Sequence, residues 1–138
     1  MNPTPSFPRL PAAVPEIPVS NVETAAGYYV DVLGFHFDWG NDEGGIGGIS
    51  QDDCRMFLTN ASFRAHYGTS GPATVWLNLQ SKQAVDELYE RWSRAGAKVI
   101  ATPEDKPWHL REFRIEDIDG NQLRVFYDFS WEQEPSAP

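Results

Sequence analysis

Apolar residues recur along this chain with two different periods, and the periods follow the same order in each half. Val22, Ala25, Ala26, Tyr29 and Val32 or Leu33 lie three or four residues apart, the spacing of one helix face. Ser20-Asn21 supplies a capping pair ahead of them, and Gly34 supplies a stop behind. Residues 35–39 then alternate as a strand does, and the glycines at 44, 45, 47 and 48 predict a loop or bulged bend. Residues 46–50 and 54–59 flank the turn Gln51-Asp52-Asp53 as a hairpin.

The second half repeats this order. Residues 75–79 read as a strand and Ser81 as a cap. Val85, Leu88, Tyr89, Trp92 and Ala95 form an apolar stripe that Gly96 ends. Residues 98–101 follow as a strand, and 113–116 and 123–129 flank the turn Asp117-Ile118-Asp119-Gly120-Asn121. Prolines at 3, 5, 8, 11, 15 and 18 forbid a helix before residue 19, leaving an extended arm that runs into a short edge strand at about 13–19. Each half is therefore strand, helix and three strands, too small to close a core alone. The expected fold class is α+β: two βαβββ modules forming curved mixed sheets. Module 1 spans about 13–60 and module 2 about 73–129, with a Pro-rich arm at 1–12 and an acidic tail at 130–138.

Composition narrows the function. The 138 residues suit one domain, and a net charge of −9 with no basic stripe argues against a nucleic-acid partner. The excess acid is concentrated in 36–60, where Arg55 faces Asp38, Asp42, Glu43, Asp52 and Asp53, and in 101–138. Cys54 is the only cysteine, so neither an intramolecular disulfide nor a cysteine-based zinc site can form. No apolar run is long enough for a membrane span, and no basic-then-apolar leader opens the chain, so a cytoplasmic protein is expected. No arrangement of catalytic residues stands out. The glycine run lacks the Lys-Ser or Lys-Thr ending of a phosphate loop, and His36, His66 and His109 have no metal-ligand spacing.

Three features carry a family resemblance: the doubled βαβββ order, the run from Pro18-Val19-Ser20-Asn21-Val22 to Leu33-Gly34-Phe35, and the closing Asp117-Ile118-Asp119-Gly120-Asn121. Together they resemble the vicinal oxygen chelate superfamily, the group of glyoxalases, extradiol dioxygenases and bleomycin-resistance proteins, over about 12–129. Ala13-Val14-Pro15, the acidic turn after Trp39, and Lys106-Pro107-Trp108 followed by Arg111-Glu112-Phe113 look most like the bleomycin-resistance binding proteins. The resemblance implies open barrels commonly completed in a homodimer, with ligand sites on concave faces or at the subunit junction. In the superfamily's enzymes, His, Gln or Glu side chains from both modules hold a divalent metal. Those positions fall here at Val14, Phe57, Thr74 and Arg124, which lack the nitrogen and carboxylate donors such a metal needs. No cofactor is therefore expected. A shifted set drawn from Glu16, Asn78 and Gln122 remains the route to the alternative, a metal-dependent lyase, isomerase or dioxygenase.

The leading expectation is a metal-independent binding protein that sequesters a cationic aromatic antibiotic of the bleomycin type. Trp39, Trp76 and Trp108 are its candidate stacking residues, with Phe57 beside them. Asp42, Glu43 and Glu16 are the candidate acids. Packing in the core or at a subunit contact is the competing account of each tryptophan. Arg124 places a cation near the cleft, either for an anionic ligand or for pairing with Glu16.

Overall fold

The computed structural model describes residues 11–66 and 71–132, so most of the expected arm and tail lies outside the described residues. Asn21 stands in extended backbone and its side chain accepts the Thr24 amide at 2.9 Å, so α1 (Val22–Asp31) starts where the sequence caps it. Val22, Ala25, Ala26, Tyr29 and Leu33 are buried, and Gly34 turns the chain at φ +79, where a side chain would be strained. β2 (His36–Asn41), β3 (Ile46–Gln51) and β4 (Cys54–Thr59) form an antiparallel meander. β1 (Glu16–Pro18) adds in parallel to β4, giving the order β1-β4-β3-β2. It is shorter than the 13–19 expected from sequence.

A short helix that the periodicity does not reveal, α2 (Ala61–Arg64), follows with Asn60 as its cap. The second sheet repeats the first. β5 (Thr74–Asn78) runs parallel to β8 (Gln122–Asp128), which pairs with β7 (Leu110–Glu116) and then β6 (Lys98–Asp105), in the order β5-β8-β7-β6. Ser81 caps α3 (Lys82–Arg94), with Val85 and Trp92 buried; Ala95, expected on the apolar stripe, is exposed because it is the helix's C-terminal cap. β6 and β7 both extend further toward their connection than the sequence pattern indicates. β6 is an edge strand with two register shifts, so Pro103 costs it no ladder bond that a central strand would need.

The internal repeat is visible in the hydrogen bonds. Val19 N–H donates to Thr59 O at 2.8 Å, and Leu79 N–H donates to Phe126 O at 2.8 Å. Glu16 therefore sits beside Phe57 in the first sheet as Trp76 sits beside Arg124 in the second. Alternation sends Met56, Leu58 and Ile49 of one sheet and Phe113, Ile115, Leu123 and Val125 of the other toward the helices, where they join one continuous core.

Side chains stitch the two modules together. Trp92 donates its indole N–H to Leu33 O at 3.0 Å, and Asn121 donates to Pro18 O at 2.8 Å. The Tyr29 hydroxyl donates to buried Asp117 at 2.9 Å. Burial pushes the Asp117 carboxyl up, against the opposing effect of hydrogen bonds from Asn121, the Asp119 amide and Tyr29. No helix among the described residues is long and apolar enough to cross a membrane.

Candidate functional site

Both helical layers lie on one face of their sheet, so the residues alternating with the core point to the other, open face. On the first sheet these include Glu16, Phe57 and Trp39. The Trp39 and Phe57 rings meet edge to face at 5.6 Å, and Thr59 Oγ1 donates to Glu16 Oε1 at 3.0 Å. The register shift between Phe37 and Trp39 is a bulge that redirects the strand at this point. Trp39 pairs across the ladder with Gly48, and its indole lies directly over that glycine: an added methyl would stand 2.6 Å from Trp39 Cε2. Glycine thus lets one ring face rest on the sheet while the side chain stays 45% exposed. The result is a flat aromatic surface open to solvent.

The second sheet carries a comparable surface with different charge. Trp76 is 48% exposed and meets Phe126 edge to face at 5.6 Å. The Arg124 guanidinium lies 4.0 Å from the centroid of the Trp76 ring, and its Nη2 donates to Glu112 Oε1 at 2.6 Å. Arg124 is therefore not a partner of Glu16, which was one of the two roles the sequence left open for it. Glu112, Arg114 and Phe126 are site-face residues not among the sequence candidates; Glu112 lies ahead of the strand expected at 113–116, which in fact begins at Leu110, while Arg114 and Phe126 lie within expected strands.

The remaining candidates are placed elsewhere. Asp42 serves the first helix: its Oδ1 accepts the Val22 amide at 3.0 Å and the Asn60 side-chain amide at 2.9 Å. These bonds, Asn60's foremost, hold its carboxyl below the usual range. Glu43 is exposed in the adjoining turn. Trp108 is 58% exposed in the β6–β7 connection, next to His109, which has φ +67 and stacks on Phe129 at 5.6 Å. Burial pushes the Cys54 thiol up, which disfavours the thiolate that a nucleophile needs.

The residues present do not fit a divalent metal. Val14 precedes β1, Thr74 pairs with Gln122, and Phe57 and Arg124 offer no donor. The shifted set fares no better. Asn78 and Gln122 mark opposite ends of the β5–β8 ladder, four residues or about 13 Å apart, too far to share one ion. Among the described residues, no group of three or more His, Cys, Asp or Glu side chains gathers where it could hold an ion.

Residues 11–125 match the profile of the Glyoxalase/Bleomycin resistance protein/Dioxygenase superfamily. A bleomycin resistance protein of Geobacillus stearothermophilus is 25% identical over 126 residues, covering 83% of this chain and 94% of that one. Among solved structures, a glyoxalase/bleomycin resistance protein/dioxygenase from Nocardioides superposes with a TM-score of 0.72 at 19% identity, covering 96% of this chain and 93% of its own. The bleomycin-binding protein of bleomycin-producing Streptomyces verticillus, complexed with copper(II)-bleomycin, gives 0.66 at 23% identity, covering 86% and 97%. These likenesses bear out the α+β fold of two four-stranded mixed sheets.

Proposed function

Since the chain belongs to the glyoxalase/bleomycin resistance protein/dioxygenase superfamily, and its open faces present aromatic rings, we propose a metal-independent binding protein for a small, flat, cationic molecule. The carrying observation is Trp39 laid over Gly48 beside Phe57, with Glu16 on the same face. A ring stacked on the free indole face gains dispersion and burial, and a positive group nearby gains from both the ring quadrupole and the Glu16 carboxylate. Each such contact is worth about 0.5–2 kcal/mol, and micromolar affinity needs about 8 kcal/mol net, so burial of the ligand's rings has to supply the larger part. No bond is made or broken in this reading: the protein removes its ligand from solution.

The names of the relatives favour a bleomycin-type antibiotic, which combines flat rings with a cationic tail. Titration with metal-free bleomycin is expected to quench tryptophan fluorescence with a micromolar or lower Kd. Trp39→Ala is expected to weaken that binding at least tenfold, and raised salt to weaken it further by screening. Wild-type protein that shows no quenching up to millimolar bleomycin rejects the ligand, and salt-independent binding rejects the charge.

Pairing of two copies belongs to the same proposal. Both open faces are uncovered in a single chain, and β2 and β6 leave unpaired strand edges. A second copy that covers them would close each surface into a crevice. Light scattering at micromolar concentration is expected to return twice the 15.5 kDa chain mass, and a monomer would count against pairing.

A further inference from the structure

The two open faces are not charged alike, and the second one is short of an anion. Phe113 and Ile115 are buried on β7, as are Leu123 and Val125 on β8, so Glu112, Arg114 and Glu116 share the open face with Gln122, Arg124 and Phe126. Arg114 and Arg124 stand directly opposite each other across the ladder. Like charges in that relation repel, and the sequence tolerates the repulsion at the centre of a half-exposed aromatic surface.

The acids nearby neutralise only one member of the pair. Glu112 is held by Arg124 at 2.6 Å, Glu116 by Lys98 at 3.3 Å, and Glu104 on the neighbouring strand by Lys106 at 3.2 Å. Among the described residues, Arg114 has no ion pair or hydrogen-bond partner. The cluster is incomplete in a second way as well. Arg124 Nε and Glu112 Oε2 are buried without a hydrogen-bond partner, and Glu112 is only 3% exposed, so solvent does not supply one. Buried polar atoms that go unmatched are costly, and an incoming anion that accepts from Arg124 Nε would relieve that donor.

We propose that this face is an anion site, taking an aromatic carboxylate whose ring lies along Trp76 and Phe126 while its carboxylate bridges Arg114 and Arg124. Guanidinium groups match a planar carboxylate through paired N–H donors, and Arg124 is already held in place by Glu112 and by the Trp76 ring. Arg114 is free to close on the ligand. The proposal rests on reading the open faces as ligand surfaces. It adds a second site of opposite charge preference to the one around Trp39, and a ligand bearing both charges would need both faces.

Two probes of one shape and opposite charge test it: 2-naphthoate and 2-naphthylmethylammonium, titrated into nitrogen-15-labelled protein while the tryptophan indole N–H resonances are followed. Naphthoate is expected to move the Trp76 resonance, with a Kd raised at least fivefold by Arg114→Gln, largely restored in Arg114→Lys, and raised by salt. The ammonium probe is expected to move Trp39 and to ignore Arg114→Gln. A naphthoate response confined to Trp39, or one indifferent to Arg114→Gln in a protein of unchanged Tm, overturns the anion site while leaving the Trp39 surface intact. If neither probe moves any indole resonance, the reading of the open faces as aromatic ligand surfaces falls, and the anion site falls with it.

Discussion

Trp92→Ala is expected to destabilise the protein by about 3–5 kcal/mol, a large share of the roughly 5–15 kcal/mol that holds an ordinary domain together. The side chain is 1% exposed and packs edge to face on Phe113, with ring centroids 5.9 Å apart. Its indole N–H also answers Leu33 O, a carbonyl just past the end of the first helix that has no following turn to bond it. The substitution thus empties a cavity in the second module and removes a hydrogen bond to the first. Trp92→Phe keeps most of the volume and loses the donor, so about 1–3 kcal/mol is expected. Urea unfolding followed by circular dichroism reads both values. A cost below about 1 kcal/mol for Trp92→Ala would mean that the modules do not depend on this contact.

The second large effect falls on binding rather than stability. Gly48→Ala is expected to abolish the stacking surface of the first sheet and weaken an aromatic cation at least tenfold, with only a small change in Tm. The added methyl meets a movable indole that is half exposed, so Trp39 swings off the strand instead of distorting it. A double-mutant cycle tests the cause. If Gly48 acts only through Trp39, then adding Gly48→Ala to Trp39→Ala changes the affinity no further. Additive losses would show that the glycine contributes in some other way, such as direct approach of the ligand to the backbone.

Trp39 was visible in the sequence as an aromatic at a strand end, but the role of Gly48 was not. A run of four glycines looks like a loop. Only Gly44 and Gly45 occupy the turn, while Gly47 and Gly48 belong to β3, where Val22 and Trp39 press on them from opposite faces. No pattern local to the chain announces a close approach made by residues eight or more positions away. Asp42 fails for the same reason in reverse. Proximity to Trp39 made it a candidate for ligand contact, yet tertiary packing delivers its carboxylate to Val22 and Asn60.

The helices were legible because their signals are local. Asn21 and Ser81 cap them, Gly34 and Gly96 both take positive φ after their ends, and the apolar stripes have the right period. The β6–β7 hairpin was harder. Pro103 and Pro107 resemble loop punctuation, so the pattern shows only 98–101 and 113–116 as strand, and Glu112 falls outside it. Period-two alternation around Phe113 and Ile115 was the signal that places Glu112 on the open face, once the strand is allowed to begin at Leu110. α2 is only four residues long, too short to show any period.

A ligand held by stacking surfaces, and not by a metal ion, binds this protein equally well when no metal is present. The bleomycin titration on protein stripped exhaustively with chelator and verified metal-free, beside protein reloaded with Zn2+, Mn2+, Ni2+ or Fe2+ and freed of excess metal, measures this most directly. The same Kd for stripped and reloaded protein is the expected result, with Trp39→Ala weakening both equally. Binding that vanishes on stripping and returns with one equivalent of a single metal, which equilibrium dialysis shows the protein to hold without the drug, would contradict this.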